Sequence, residues 1–261
     1  MKVAVITGGS SGIGLSAARL FSARGYRVYE LSRRAVETPG VTHLACDVTD
    51  PAAVRSAVDA VREKEGRIDL LINNAGMGVS GPAELSDPDE VRRLFEVNFF
   101  GALYATQAVI PLMRDQKDGC ILFVSSVASP VSIPFQAFYS ASKSALQTFS
   151  NALRCELKPF GIRVASILPG DTNTGFTDAR RKDVRGSDFY GDRAERAVAA
   201  MEKDERRGMS PEAVSLVLWR AAKALNPRVF YTVGFSYKIL VFLTRILPSR
   251  LVYAVVGMLY S

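Results

Sequence analysis

The chain has 261 residues, 48% of them hydrophobic, and a formal net charge of +7 at pH 7. This length and composition allow one large hydrophobic core and favour a single α/β domain over two. The basic residues are scattered or paired among acidic ones, unlike the clustered basic patch of a nucleic-acid-binding surface. We therefore expect no nucleic-acid partner, and a polyanionic cofactor or an acidic membrane surface would explain the charge as well.

Cysteine and histidine usage argues against several kinds of site. Cys46, Cys120 and Cys155 lie far apart without C-x-x-C spacing, so we expect neither a disulfide framework nor a metal site. His43 is the only histidine, and no G-x-S-x-G motif accompanies it, which argues against a Ser-His-Asp hydrolase. The alternating pattern around His43 predicts a strand residue. The cysteine pattern fits a reducing, cytoplasmic setting. The N-terminal sequence MKVAVITGG lacks the features of a signal peptide and is expected to belong to the fold.

Short apolar runs alternate with longer helical patterns along the chain, which is typical of a parallel sheet covered by helices. The predicted strands are 3–7, 26–31, 43–47, 69–76, 120–126, 163–170 and 228–233. The predicted helices are 12–24, 51–65, 91–109, 138–158 and 211–225, the last of them opened by Ser210 and Pro211. Residues 171–209, which are charged and rich in Gly, Asp and Arg, predict a flap between core elements.

The first predicted strand leads into a helix through TGGSSGIG, residues 7–14. Glycines permit positive φ and close backbone approach, and the helix N-terminus offers free N–H groups to a pyrophosphate. An ordinary glycine turn is the alternative, but a position between the first strand and the first helix is the context that a dinucleotide-binding loop requires. The expected cofactor contacts in this loop are Gly8, Ser10, Ser11, Gly12, Ile13 and Gly14.

The end of the second strand predicts which dinucleotide binds. An acidic residue there binds the ribose 2′-hydroxyl of NAD, whereas an arginine accommodates the 2′-phosphate of NADP. Ser32, Arg33 and Arg34 end this strand, so we expect NADP(H), with NAD(H) as the alternative. Glu30 is spaced suitably for an NAD-binding acid but precedes the strand end, and we expect it to point along the strand.

The sequence YSASK places Tyr139 and Lys143 on one face of the predicted helix 138–158. A tyrosine that works near pH 7 needs its pKa lowered by about three units, or roughly 4 kcal/mol. An ammonium about 4 Å away, at an effective dielectric constant near 20, supplies about this much. A half-buried tyrosine beside a solvated lysine is the structural alternative.

Two further polar residues favour a catalytic site. Ser126 lies at the carboxyl end of the strand 120–126, where ligands of parallel sheets bind. Asn98 is an unusual residue for a helix interior and could hold a water or a backbone bond. Together with TGGSSGIG, CDVTD, NNAG, YSASK and PGDTNT, these residues resemble the pattern of the short-chain dehydrogenase/reductase family over nearly the whole chain.

The resemblance implies a Rossmann-type fold: a single-domain, doubly wound parallel sheet over residues 1–235, with a substrate flap at 171–209 and an apolar tail at 236–261. It implies an oxidoreductase that interconverts a carbonyl compound and its alcohol by hydride transfer. Family members commonly assemble, so the resemblance also implies a homodimer or homotetramer, with the helices near 91–115 and 138–158 as the contact.

The resemblance also assigns roles to the catalytic residues. Tyr139 is implied to be the acid/base, and Ser126 to bind the substrate oxygen. Lys143 is implied to hold the nicotinamide ribose and to lower the pKa of the tyrosine. Asn98 would complete a proton relay through water.

For the cofactor, the resemblance implies that Asp47 contacts the adenine, Asn74 the adenosine side and Thr174 the nicotinamide amide. The remaining expected cofactor contacts, besides Ser32 and Arg33, are Val48, Ala75, Gly76, Pro169, Gly170 and Thr172.

Aromatic residues are the candidates for the substrate pocket wall. Phe135, Phe176 and Tyr190 would contact a lipophilic substrate beside Ser126 and Tyr139, although core packing would explain these aromatic residues equally well.

The C-terminal stretch 237–260 is very apolar, but Arg245, Pro248 and Arg250 interrupt it. Its longest uninterrupted apolar run is about ten residues, too short to cross a bilayer. It therefore predicts a segment lying peripherally in a membrane interface, or a cover for the substrate site or a subunit contact. With residues 210–234, this segment resembles, more loosely, the family branch that handles steroids, retinoids and other lipophilic alcohols and ketones.

Four functions follow from these patterns. The leading one is an NADP(H)-dependent oxidoreductase for a lipophilic ketone, aldehyde or alcohol. The alternatives are an NAD-dependent alcohol dehydrogenase of the steroid or retinol type, a non-catalytic dinucleotide-binding regulator, and an interfacial protein whose tail matters more than its chemistry. The intact tyrosine, lysine, serine and asparagine set argues against a regulator.

Overall fold

The computed structural model describes residues 1–182 and 187–259. Its strands, in chain order, are β1 (Lys2–Thr7), β2 (Tyr26–Ser32), β3 (Val41–Ala45), β4 (Leu70–Asn73), β5 (Val79–Ser80), β6 (Gly119–Val124), β7 (Ile162–Pro169), β8 (Arg181–Lys182) and β9 (Phe230–Val233). Its α-helices are α1 (Gly12–Ala23), α2 (Pro51–Glu65), α3 (Pro88–Phe95), α4 (Gly101–Gln116), α5 (Ala137–Leu157), α6 (Phe176–Ala179), α7 (Ser187–Tyr190), α8 (Arg193–Arg206), α9 (Pro211–Lys223), α10 (Phe235–Ile246) and α11 (Ser249–Leu259).

Seven strands form one parallel sheet in the order β3-β2-β1-β4-β6-β7-β9. The chain builds outward from β1 in one direction as far as β3 and then returns to add β4 on the other side. Ligands of such sheets bind at this reversal, beyond the carboxyl ends of the strands. The predicted doubly wound parallel sheet is confirmed.

Helices cover both faces of the sheet and form two cores. Side chains of α2, α4 and α5 pack on one face, with Val58, Val109 and Leu153 among them. Side chains of α1 and α9 pack on the other face, with Phe21 and Leu218 in its centre. Because both faces are buried, the inner strands are continuous apolar runs, which is why the sequence reveals them.

Polar turns fix where two strands end, and both ends differ from the prediction. The third strand ends at Ala45, since Asp47 accepts hydrogen bonds from the backbone and side chain of Thr49 and starts a turn. The fourth ends at Asn73, since the next residue, Asn74, donates its backbone N–H to Thr7 Oγ1 (3.0 Å). The NNAG motif thereby leaves the sheet and joins the β1–α1 loop.

The helix predicted at 91–109 extends further and is interrupted. It begins at Pro88, capped by Asp87, and runs through a π-helical turn, Glu96–Phe100, into α4. Asn98 lies in this turn. Its side chain forms two hydrogen bonds with the backbone of Met77, accepting from N–H (2.8 Å) and donating to the carbonyl (3.0 Å). A π turn inside a helix often accompanies a functional site.

The predicted flap at 171–209 contains regular structure. It holds α6, β8, α7 and α8, and β8 pairs with β5 to form a small second sheet. A buried ion pair between Arg180 and Glu205 joins the end of α6 to α8. Residues 183–186 of the flap lie outside the described residues.

The C-terminal tail folds into α10 and α11, which meet at Pro248. Val241 packs beside Val127 and Leu168 at the edge of the sheet. Among the helices of residues 1–182 and 187–259, we find none with the length and apolar content that crossing a bilayer requires.

Candidate functional site

A cavity of about 540 Å³ opens at the carboxyl ends of the strands. It extends from the β1–α1 loop to α8 in the flap. Most of the predicted site residues line it, namely Gly8, Ser10, Ser11, Gly12, Ile13, Ser32, Arg33, Asp47, Val48, Asn74, Ala75, Gly76, Ser126, Tyr139, Lys143, Pro169, Gly170, Thr172, Thr174 and Phe176. Four predicted residues are not in its wall: Gly14, Asn98, Phe135 and Tyr190.

The β1–α1 loop has the shape of a phosphate cradle. Gly8 and Gly12 adopt left-handed backbone conformations, with φ of 67° and 52°. The side chain of Ser11, the N-cap residue of α1, makes no capping hydrogen bond, so it leaves the first N–H groups of the helix available to a ligand. Gly14 serves packing instead, because a Cβ there would lie 2.2 Å from the carbonyl oxygen of Gly8.

Asn74 holds this cradle in place. Its Nδ2 donates to the carbonyl oxygens of Thr7 and Gly8, both at 3.1 Å. Both amide hydrogens are therefore used within the protein, while the residue still lines the cavity. Asn74 therefore stabilises the β1–α1 loop, in addition to the cofactor contact predicted for it.

Arginine side chains surround the adenosine end of the cavity. Burial raises the pKa of Asp47, but hydrogen bonds from Thr49 and the charges of Arg33 and Arg93 outweigh it and hold this pKa below its ordinary value. Arg34 lines the same region. Sequence patterns did not reveal Arg93, because it lies on α3 and reaches the site only through the fold.

Glu30 does not line the cavity. It is buried beside Gly9, accepts a hydrogen bond from Ser32 Oγ (3.3 Å) and pairs with His43 on the neighbouring strand. Its carboxylate therefore bonds along the strand to Ser32 and across the sheet to His43, and it does not face the cavity. His43 is a residue of β3, as expected.

Tyr139, Ser126 and Lys143 meet at the other end of the cavity. Burial raises the pKa of Tyr139 to about 12, and a hydrogen bond with Ser126 works in the opposite direction. Burial also lowers the pKa of Lys143 to about 8. Lys143 Nζ donates to the carbonyl oxygen of Val124 (3.0 Å) and lies 5.8 Å from the centre of the tyrosine ring.

The prediction that Lys143 brings the pKa of the phenol close to 7 is wrong for this structure. The prediction weighed the charge of the ammonium and omitted the cost of burying the phenolate. Burial has the largest effect on this pKa, and the contributions that oppose it come from Ser126 and Arg180 rather than from Lys143. Tyr139 is consequently protonated at pH 7, which is the state of a proton donor.

Asn98 lies just behind the cavity wall. Its Nδ2 donates to Ser142 Oγ (3.0 Å) in α5 as well as to Met77, and its side chain is fully buried. It thus ties the π turn, the NNAG segment and the helix of Tyr139 together. A proton relay through Asn98 stays a prediction.

The substrate end of the cavity differs from the predicted wall. Phe176 lies against Tyr139, with ring centres 5.7 Å apart. Phe135 packs on Tyr190 instead, and Tyr190 donates to Glu84 (2.7 Å); neither aromatic residue lines the cavity. The wall is completed by Asp171 of the PGDTNT motif and by residues that no motif identifies: Met77, Gly78, Ile133, Gln136, Ala179, Met201 and Glu205.

Known proteins provide an independent comparison. Residues 2–185 match the family model described as short chain dehydrogenase. A 3-ketodihydrosphingosine reductase of Bacteroides thetaiotaomicron is 41% identical over 236 residues, which cover 89% of this chain and 88% of that protein. An NADPH-dependent 3-dehydrocapnine reductase of Ornithobacterium rhinotracheale is 32% identical over 251 residues, covering 90% and 88%.

Solved structures agree with the sequence comparisons. A short-chain dehydrogenase from Streptomyces avermitilis superposes with a TM-score of 0.83 at 27% identity, covering 92% of this chain and 90% of that one. The family model, the relatives and the fold all indicate the same family. The chain is an oxidoreductase and belongs to the short-chain dehydrogenase/reductase family.

Proposed function

We propose that the protein reduces a lipophilic ketone to its alcohol with NADPH, using Tyr139 as the proton donor. One observation carries the proposal: Tyr139, Ser126 and Lys143 share one continuous cavity with the phosphate cradle and the arginine cluster. A non-catalytic regulator would not need a tyrosine, a serine and a lysine together at the far end of that cavity.

The residues around the cavity fit a dinucleotide. Gly8 and Gly12 allow close backbone approach, and the N-terminus of α1 would receive the pyrophosphate. The bound nicotinamide supplies the hydride. Arg33, Arg34 and Arg93 together favour a 2′-phosphate, hence NADP(H), and the NADPH-dependent relative supports this choice.

The catalytic side chains suit the reduction direction. A phenol with a pKa of about 12 holds its proton at neutral pH and releases it to a stronger base, such as a forming alkoxide. Ser126 lines the cavity with Tyr139, acts to lower the pKa of the phenol, and would position the substrate oxygen. The Lys143 ammonium faces the same space and would bind the cofactor ribose.

We further propose a sphingoid-type ketone as substrate: a long alkyl chain with an amino alcohol head beside the ketone. The relatives that are named reductases of 3-ketodihydrosphingosine and 3-dehydrocapnine support this class. In this chain, Met77, Ile133 and Met201 offer apolar contact to an alkyl chain. Asp171 and Glu205 place carboxylates in the same wall, where an ammonium would be favourable.

A substrate screen tests the proposal. The purified protein is given NADPH or NADH with 3-ketodihydrosphingosine, a long-chain ketone without an amino group, and a short-chain ketone. We expect turnover of the long-chain compounds with NADPH to exceed that of the short-chain ketone by about tenfold or more. No oxidation of NADPH with any ketone, or a clear preference for the short polar one, would contradict the proposal.

We also propose a cytoplasmic homodimer or homotetramer that assembles through α4 and α5, on the basis of the family resemblance. Light scattering measures the mass directly. A monomer at micromolar concentration would contradict this arrangement.

A further inference from the structure

The last two helices expose apolar side chains where a helix of a soluble protein exposes polar ones. On α10, Phe235, Ile239, Phe242 and Ile246 are 79%, 46%, 60% and 59% exposed. Their spacing of four, three and four residues places them in one stripe along the helix. On α11, the exposed residues Leu251, Val255 and Met258 repeat this spacing.

These stripes lie opposite the faces that contact the protein. Val241 of α10 is buried against Val127 and Leu168 at the sheet edge. Val252 and Val256 of α11 are buried against Val131. Both helices therefore already bury one apolar face, and the exposed stripes form a second apolar surface, which we call the tail surface.

Basic residues accompany the tail surface without acidic partners in the sequence. Residues 213–261 contain no Asp or Glu but six basic residues: Arg220, Lys223, Arg228, Lys238, Arg245 and Arg250. Lys238 and Arg245 lie seven residues apart on the same flank of the α10 stripe, and both are exposed. An apolar stripe flanked by basic side chains is the pattern of a helix that lies in a membrane interface.

A second copy of the chain is a poorer partner for this surface. In a twofold contact the same patch meets itself, so Lys238, Arg245 and Arg250 would approach the same residues of the other copy. No acidic residue of this segment would offset the repulsion. An anionic lipid surface offers both the apolar layer and the opposite charge.

The helix that carries the first stripe also contacts the candidate site through its protein-facing side. The ring of Tyr237 covers Gly170, where a Cβ would come within 2.1 Å of it, and its hydroxyl donates to Asp171. Gly170 and Asp171 both line the cavity. The helix that carries the first apolar stripe therefore contributes to the support of the cavity wall.

We propose that α10 and α11 dock the protein on an anionic membrane surface, with the apolar stripes in the acyl boundary and the basic side chains at the headgroups. This inference is independent of the proposed reaction. In the docked protein, α10 would contact both the lipid boundary and, through Tyr237, the wall of the cavity.

Vesicle flotation without substrate tests the proposal. The full-length protein is mixed with phosphatidylcholine vesicles that contain about one third phosphatidylserine, or with phosphatidylcholine alone. We expect the protein to float with the anionic vesicles, and the floating fraction to fall at least about tenfold in F242S/I246S. The control L225S removes a side chain that is 94% exposed outside the tail surface, and it should float like the wild type.

A charge variant separates the electrostatic contribution to vesicle binding from the apolar contribution. In K238Q/R245Q/R250Q we expect loss of the preference for anionic over neutral vesicles, while R55Q/K203Q/R207Q, which removes three exposed charges elsewhere, should keep it. Equal flotation of F242S/I246S and wild type would overturn the proposal. A second result would also overturn it. In that result the wild type binds no vesicles and forms a dimer by light scattering, and F242S/I246S converts this dimer to monomers. Turnover on a water-soluble ketone is measured separately, so failure of docking is distinguishable from failure of the proposed reaction.

Discussion

At the scale of single residues, burial sets the chemistry of the candidate site. The same low-dielectric surroundings raise the pKa of Tyr139 to about 12 and lower that of Lys143 to about 8. The tyrosine is consequently kept in its proton-donating form, while the lysine is held charged only at a cost in stability. Function and stability conflict at Lys143.

The substitution Lys143→Met should reveal this cost. The pKa of Lys143 falls from its ordinary 10.5 to about 8 in the folded protein, which corresponds to about 3 kcal/mol of destabilisation below pH 8. Wild type recovers this stability as pH rises from 8 towards 10.5, because the folded protein releases the proton. Chemical unfolding at pH 7 and pH 10 should therefore show K143M more stable than wild type by up to about 3 kcal/mol at pH 7, reduced by the lost bond to Val124, with the gap closing at pH 10.

The exposed Lys203 provides the control, since K203M should change stability little and equally at both pH values. If K143M were the less stable protein at pH 7 and gained on wild type at pH 10, the assigned direction of the lysine pKa would be wrong.

Cofactor choice is also a residue-scale matter. Arg33→Ala should raise the KM for NADPH about tenfold or more and leave the KM for NADH nearly unchanged, because only NADPH carries the 2′-phosphate. The control Arg55→Ala removes an exposed arginine of α2 and should affect neither. Steady-state kinetics with both cofactors measures this difference. An equal rise in the KM for NADPH and for NADH would remove the basis for expecting NADP(H) as the cofactor.

At the scale of elements, two ion pairs of very different burial join α6 to α8 within the flap. Arg180 and Glu205 form a buried pair with side chains 1% and 12% exposed, and Thr177 donates to the same carboxylate (2.8 Å). Arg206 and Asp178 join the same two helices but are 58% and 66% exposed. The buried pair also places Glu205 in the cavity wall, so the packing of α6 on α8 and the shape of the pocket depend on one contact.

The two pairs make a matched test. Arg180→Met leaves a buried carboxylate without its cation and should destabilise the flap by about 3 kcal/mol or more. Arg206→Met breaks a solvated pair and should cost less than about 1 kcal/mol. Hydrogen exchange of residues 171–182 and 187–209 measures both effects. Equal protection from exchange in the two variants would show that the buried pair does not stabilise the contact between α6 and α8.

At the scale of the whole molecule, much of the fold could be predicted from local signals. Buried parallel strands are continuous apolar runs, and the glycine loop and YSASK are contiguous motifs, so each could be located without knowing its neighbours. The substrate wall could not, because Met201 and Glu205 reach it only after the flap folds over the sheet. The pKa of Tyr139 was mispredicted for the same reason: burial is a property of the folded chain.

The measurement that tests the account most directly is turnover by Tyr139→Phe. This change removes one hydroxyl from a partly buried ring and should leave the fold and NADPH binding intact, as checked by thermal unfolding and by cofactor titration. We expect the rate of NADPH-dependent ketone reduction to fall by at least about a hundredfold, since the proton donor is lost. Wild-type rates in a folded, NADPH-binding Y139F protein would contradict the account.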